Sequence, residues 1–329
     1  VRVGDHRAVH EARRATGGFG RGGAGLRAGG HETLFASLRA PALTTSDNFP
    51  ARADALGDLD FILASPERLP EALRAEAEAL RATLEAADAA LFASLRARLR
   101  AGLRGADLLA VLDALAPPTV RLRADAAGYD ALDLLLDGVL LDGEPPAPSS
   151  PLTPDMVGLQ QTPARVILEL AAQLSLRLPE SRVACSRFYD IGSGLGRVAL
   201  MATLLTGCAA HGLDFEAGFV DYARARAADL GVERVTFTTG DARLFDLGPD
   251  APGWGRVDRG DRAEDIYFLY TPFRGALLAD VLDRLRLCAP RARLFTYGPC
   301  SAEVAAHPGY RRVPSGDFSP DRLEEFFVR

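Results

Sequence analysis

Apolar positions recur at helical spacing along one early stretch of the chain. Leu73, Ala77, Leu80, Leu84, Ala87, Leu91 and Leu95 follow at intervals of 4, 3, 4, 3, 4 and 4, with Glu and Arg on the other faces. The pattern predicts a helix from about Pro66 to Leu103. It is either a coiled-coil seam for a second copy or one helix of a small helical domain, and the short, alanine-diluted stripe favours the second. "ADLLAVLDALAP" (Ala106–Pro117) predicts a partner helix, and "GYDALDLLLDGVLLDG" (Gly128–Gly143) another. Then "GEPPAPSSPLTP" (Gly143–Pro154), with five prolines, breaks all periodicity.

Beyond it the pattern changes. "TPARVILELAAQLSLRL" (Thr162–Leu178) predicts a helix started by proline at its first position. Short apolar runs then alternate with helical ones. The strands are "RFYDI", "CAAHGLDF", "RVTFTTGDA", "EDIYFLYTPF" and "ARLFTYG". Between them lie the helices "RVALMATLLTG", "GFVDYARARAADLG" and "ALLADVLDRLRLCAP". Alternation of this kind predicts a doubly wound, mostly parallel α/β sheet. Two further candidates, "GYRRVP" and "EEFFVR", lie in or near the last 29 residues and would close a seven-stranded sheet with a terminal antiparallel hairpin. The expected organisation is a disordered Gly/Arg-rich leader (residues 1–35), a mainly α-helical domain (36–142), a Pro-rich linker (143–154) and the α/β domain (155–329).

Composition narrows the chemistry. The chain of 329 residues has a net charge of −6 and no lysine, all 38 basic residues being arginine. A phosphate-binding G-x-x-x-x-G-K-[ST] loop, a Schiff-base lysine and a lysine general base are therefore excluded. The acidic balance argues against nucleic acid as a partner. No apolar run is long enough for a membrane helix, and "VRVGDHRAVHEARR" has no secretory h-region, so a cytoplasmic protein is expected. Cys185, Cys208, Cys288 and Cys300 form no C-x-x-C pair and have no histidine at ligand spacing. His6 and His10, four apart, fall in the leader, and no metal is expected.

The candidate site is "DIGSGLGRV". Gly192, Gly194 and Gly196 let a ligand approach the backbone at the end of the first strand. A dinucleotide fingerprint is G-x-G-x-x-G, whereas this loop is G-x-G-x-G with Arg197 where the third dinucleotide glycine belongs. Asp190, two residues before the first glycine, repels a pyrophosphate but suits an ammonium group. Asp214 ends the second strand, placed for a ribose diol, and Asp241 follows the third, placed for an adenine amine. Three carboxylates at three successive strand ends, with no phosphate ligand, describe S-adenosylmethionine as the cofactor.

On these motifs residues 159–329, about half the chain, resemble a class I (Rossmann-like) S-adenosylmethionine-dependent methyltransferase. "FYDIGSGLGRV" is similar to the family's glycine-rich motif, "GLDFEAGFVDYARARA" to its ribose loop and "VTFTTGDA" to its adenine loop. With "LQQTPARVI" upstream, the chain is nearest to bacterial members of unassigned substrate, and distantly similar to the histone-lysine methyltransferases that lack a SET domain. The resemblance implies that a loop ahead of the first motif closes over the cofactor, with Gln160, Gln161 and Thr162 at its methionine part. The aromatic common in that loop is absent, Leu159 standing nearby. Ser193 and Ala242, inside the first and third motifs, complete the implied cofactor set.

The resemblance also implies that the acceptor lies beyond the fourth strand, at "YTPF". Amino-methylating relatives carry Asn/Asp-Pro-Pro-Tyr/Phe there, and Tyr270, Thr271 and Phe273 are the catalytic candidates. Tyr270 and Phe273 are either an aromatic wall or core at the end of a buried strand. The polar loop Leu247–Asp265, with Trp254, is either a substrate flap or a solvated insertion. Tyr297, after the fifth strand, faces the same end of the sheet. The expected function is methyl transfer by in-line displacement to a small-molecule or protein acceptor, by a monomer or homodimer. The alternative is a non-catalytic S-adenosylmethionine sensor using the helices as a partner interface.

Overall fold

The computed structural model describes residues 35–64, 70–123, 128–177, 187–245 and 265–329. The glycine-rich leader up to residue 34, His6, His10, Cys185 and most of the loop with Trp254 lie outside the described residues. The chain divides into two compact units: residues 1–98, 110–122 and 127–142, and residues 99–109, 123–126 and 143–329.

The first unit holds helices α1 (Phe49–Leu63), most of α2 (Glu71–Arg100), part of α3 (Gly105–Leu115) and α4 (Ala131–Leu140). The predicted stripe of α2 is where it buries itself: Ala77 and Leu84 join Leu56, Leu59 and Ile62 of α1 in one apolar cluster. The partner helix α1 was not foreseen. Its buried side chains include Arg52, fully covered, which pairs with Asp88 of α2 and donates to the carbonyls of Leu43 and Thr45. A charged residue facing the core disguises the apolar period, and it is tolerated because Nε and Nη1 find partners, although Nη2 is buried without one. α4 begins with a reciprocal cap. Asp130 Oδ1 accepts from Leu132 N at 2.9 Å, and Asp133 Oδ2 accepts from Asp130 N at 3.0 Å.

The second unit is built on seven strands: β1 (Arg187–Ile191), β2 (Ala209–Asp214), β3 (Val235–Thr239), β4 (Asp265–Tyr270), β5 (Arg293–Tyr297), β6 (Tyr310–Arg312) and β7 (Glu324–Val328). Their order is β3-β2-β1-β4-β5-β7-β6. The first five run parallel, β7 lies antiparallel to β5, and β6 antiparallel to β7. The doubly wound sheet with its antiparallel end is the one the strand pattern predicts. β1 is buried along its whole length, as a parallel strand covered on both faces must be. The helices are α5 (Ala164–Arg177), α6 (Arg197–Thr206), α7 (Ala217–Asp229), α8 (Gly275–Cys288) and α9 (Cys300–Ala306). The seven-residue α9, between β5 and β6, is too short to leave a periodic trace and was not foreseen.

Alternate residues of β1 serve opposite faces. Tyr189 and Ile191 join Leu278, Val281 and Leu282 of α8 in one core cluster. Phe188 and Asp190 therefore point to the other face. Chain order reverses between β1 and β4, so the carboxyl ends of these two strands form the topological switch point, the place where open α/β sheets bind ligands.

Candidate functional site

A cavity opens at this switch point, wholly within the second unit. The first glycine loop supplies Gly192 and Gly194, β2 ends there in Asp214, and Gly240, Asp241 and Ala242 follow β3. Tyr270, Thr271, Pro272 and Phe273 close it at the end of β4. Eight predicted site residues thus meet around one space: Gly192, Gly194, Asp214, Asp241, Ala242, Tyr270, Thr271 and Phe273.

The glycines earn their places by geometry. Gly192, Gly194 and Gly196 have φ of +79°, +50° and +83°, where a side chain is strained. A Cβ on Gly192 would lie 2.4 Å from Pro272 Cβ, and one on Gly194 2.6 Å from Leu159 Cδ1. The loop is a cradle that any side chain would fill. Asp214 fixes its shape: Oδ2 accepts from Gly194 N at 2.7 Å and Oδ1 from Glu216 N at 2.9 Å. Burial raises the Asp214 pKa, and these backbone donors pull it back. A carboxylate has about four acceptor positions, so after two inward bonds Asp214 keeps capacity for donors in the cavity. Asp241 is held by a forked pair with Arg243, Nη2 to Oδ2 at 2.6 Å, which keeps its carboxyl below the usual range.

Asp190 is placed differently from the expectation that it greets an ammonium group. It sits under the loop, 3% exposed, and is not part of the cavity wall. Burial, then the nearby Asp214 charge, push its pKa up to about 8, against a backbone donor at Ala199. Asp190 therefore carries a proton at neutral pH. Ser193 and Gly196 also lie behind the wall, as do Gln161 and buried Thr162, while Gln160 and Leu159 reach it.

The charge of Asp190 makes a prediction with a definite sign. Between its unfolded value near 3.8 and about 8 the native chain holds a proton that the unfolded chain lacks, so stability falls as pH rises through this window. His211 acts oppositely, because burial lowers its pKa to about 3, but its contribution is complete above its unfolded value of about 6.5. From pH 7 to 8 the wild type should therefore lose up to about 1.4 kcal/mol. Asp190→Asn should flatten that slope, read by urea unfolding at the two pH values. An equal slope in both proteins would show that Asp190 is ionised throughout.

Thr271 is a β-branched residue at φ +41°, the only non-glycine with positive φ among the described residues. Such a backbone costs of order 1–3 kcal/mol and persists only where its surroundings enforce it. Here its hydroxyl donates to Tyr297 O at 3.1 Å and accepts from Cys300 N at 3.3 Å. A Cβ on the facing Gly298 would come within 2.4 Å of that hydroxyl. The Thr271 oxygen is engaged beneath the cavity, so the residue shapes the β4 turn rather than presenting a proton-handling group. Phe273 fills both roles left open for it, lining the cavity and packing on the core. Tyr270 packs its ring 5.2 Å from that of Tyr297.

The missed parts of the site come from the proline-rich segment. Ser149 Oγ donates to Glu216 Oε1 at 2.5 Å and Ser150 N to Oε2 at 3.0 Å, holding the Glu216 pKa low. At the other end Val157 N donates to Pro272 O, Arg274 N to Asp155 O, and Met156 bridges Phe273. Residues 149–157 thus run from the end of β2 to the end of β4 as a strap along the cavity. Leu152, Met156 and Leu159 add apolar walls. The one local signal was a second acid in "GLDFE", two residues after Asp214.

The cavity wall carries Asp214, Glu216 and Asp241 and, among the described residues, no Arg or His. Beneath it Asp190 Oδ2 and Ser193 Oγ are buried without a hydrogen-bond partner. A glycine cradle, acceptor carboxylates and aromatic walls fit a cation with hydroxyl and amine donors, and oppose a phosphate. Among the described residues no cluster of His, Cys, Asp and Glu would hold a metal, and no helix is long and apolar enough to cross a membrane.

No protein-family model and no curated protein matches the sequence. Solved structures do. An RNA methyltransferase from Salinibacter ruber, in complex with S-adenosyl-L-homocysteine, is 20% identical at a TM-score of 0.36, over 51% of this chain and 93% of its own. A putative methyltransferase from Escherichia coli is 17% identical at 0.39, over 53% and 90%. A variant of MtNAS in complex with S-adenosylmethionine is 12% identical at 0.37, over 91% and 96%. With strand order β3-β2-β1-β4-β5-β7-β6 and its one reversed strand inserted beside β5, the second unit has the fold of the class I S-adenosylmethionine-dependent methyltransferases.

Proposed function

We propose that the chain binds S-adenosylmethionine in the glycine-loop cavity and is a methyltransferase acting on a small molecule or a protein side chain. One observation carries this: the cavity at the switch point sets three carboxylates, Asp214, Glu216 and Asp241, beside a glycine cradle, with no basic side chain in its described wall. A dinucleotide or nucleoside triphosphate would bring phosphates against that wall. The cofactor supplies a methyl group already activated on a sulfonium.

The chain's own residues then have physical tasks. Asp214 accepts from hydroxyl donors, with its orientation fixed by Gly194 N and Glu216 N. Asp241 offers an acceptor at the end of β3. The faces of Tyr270 and Phe273 favour a neighbouring positive charge by roughly 0.5–2 kcal/mol. Leu152, Met156 and Leu159 give the cavity apolar walls. Within this reading the protein is a bacterial, cytoplasmic enzyme, a monomer or homodimer. The acidic balance of the chain supports an acceptor other than nucleic acid.

Calorimetric titration with S-adenosylmethionine, S-adenosylhomocysteine and NAD tests the reading. The two adenosyl ligands should bind at micromolar concentration and NAD should not. Binding of NAD alone would point to a dehydrogenase and end this reading.

A further inference from the structure

A second cavity, of about 540 Å³, lies on the same rim of the sheet. Because β7 runs antiparallel to β5, the loop before it arrives at the carboxyl end of β5, where Gly298 N donates to Pro320 O at 2.8 Å. Phe295 of β5 lines the cavity, Glu169 and Gln173 face it from α5, and Asp317 and Arg322 from the loop.

Its charges are of two kinds. Glu324 and Glu325 reach the cavity but are already neutralised, by Arg312 and by Arg293 at 2.8 Å. Glu169 is not. It is half-buried, and no hydrogen bond or ion pair reaches its carboxylate among the described residues. Burial raises its pKa, Arg322 lowers it and the Glu324 charge raises it again, and among the described residues no ion pair joins Glu169 to Arg322. The Arg322 guanidinium likewise has no hydrogen bond among the described residues. An acid and a base thus line one cavity with the Phe295 ring and are not paired with each other among the described residues. Arg123 also lines this space.

The place of the cavity matters as much as its charge. Glu169 stands one helical turn beyond Arg165, whose Nη2 donates to the Tyr297 hydroxyl at 3.2 Å. Tyr297 packs on Tyr270, which lines the cofactor cavity. One tyrosine pair and one helical turn separate the two spaces. We infer that the second cavity is a separate binding site for a small dipolar amine, its ammonium on Glu169 and its carboxylate on Arg322. A planar guanidinium suits a carboxylate in two-point contact, and an anion without an amine would meet Glu169 and Asp317 unpaired.

The test is calorimetry of the full chain with L-arginine, agmatine and succinate as probes, without any adenosyl ligand. L-arginine should bind, agmatine more weakly for want of its carboxylate, and succinate not at all. Glu169→Gln should weaken L-arginine by about tenfold. Arg322→Gln should bring L-arginine down to the level of agmatine and leave agmatine within about twofold. Preference for succinate, absence of binding by either amine, or L-arginine binding unchanged in both variants would overturn the inference. Repeating the L-arginine titration at saturating S-adenosylhomocysteine should leave it intact. Displacement by that ligand would make the two cavities one site and also overturn it. If S-adenosylhomocysteine fails to bind while the amine pattern holds, the cofactor reading falls and the amine site stands on its own.

Discussion

Asp214→Ala should reduce affinity for S-adenosylmethionine at least about a hundredfold, equivalent to about 3 kcal/mol. Two losses add. The first is direct: the acceptor capacity that Asp214 keeps toward the cavity goes, and a hydrogen bond to a charged group contributes roughly 1.5–3 kcal/mol. The second is structural. Gly194 N and Glu216 N, now 2.7 and 2.9 Å from the carboxylate, lose their acceptor, and a partly buried N–H without a partner costs about 1–3 kcal/mol. The glycine cradle is then no longer held in the shape that fits a ligand. Asp214→Asn separates the two losses, because its single carbonyl oxygen can serve Gly194 N or Glu216 N but its amide nitrogen opposes the other. It should fall between the wild type and the alanine variant. Calorimetric affinities of all three within about threefold would show that β2 ends away from the ligand.

The sheet was legible because its signals are local. Parallel strands buried on both faces read as short apolar runs, and glycines or prolines mark their ends, so β1 to β5 sit within the predicted stretches. The glycine loop, Asp214 and Asp241 follow from that register, since a residue at a strand's carboxyl end reaches the rim. Asp190 shows where such reasoning stops. It shares a face of β1 with Phe188 and lies inside the strand, so its carboxyl enters the layer under the loop. Alternation along "FYDI" contained that information, but proximity to the glycines suggested the opposite. The strap was illegible for another reason. Residues 149–157 have no periodicity, and their partners Glu216, Pro272 and Arg274 are far along the chain. A proline-rich stretch reads as a spacer unless its tertiary contacts are known. In α1, likewise, Arg52 hides the buried face until Asp88 is seen opposite it.

Gly196→Ala should destabilise the fold by about 2–5 kcal/mol, whereas Gly194→Ala should cost only about 1–2 kcal/mol and abolish most cofactor binding. The two glycines are two residues apart, in the same left-handed region, and differ in what surrounds them. Gly196 caps α6 at φ +83°, and a Cβ there would lie 2.6 Å from Phe237 Cζ and 2.8 Å from Ala223 Cβ. Neither neighbour can yield: Phe237 is a buried side chain of β3, and Ala223 is fully buried in α7. The left-handed conformation contributes about 1–2 kcal/mol, and forced overpacking a further 1–3 kcal/mol. Urea unfolding without ligand should therefore show the loss. At Gly194 the obstacle is the Cδ1 of Leu159, the far end of a side chain that is 44% exposed. It can swing aside, which leaves only the backbone strain of about 1–2 kcal/mol. The added methyl then occupies the cavity beside the N–H that Asp214 holds. A Gly194→Ala protein that binds S-adenosylmethionine like the wild type would mean that the ligand does not approach this loop. A Gly196→Ala protein of unchanged stability would mean that β3 and α7 do not press on it.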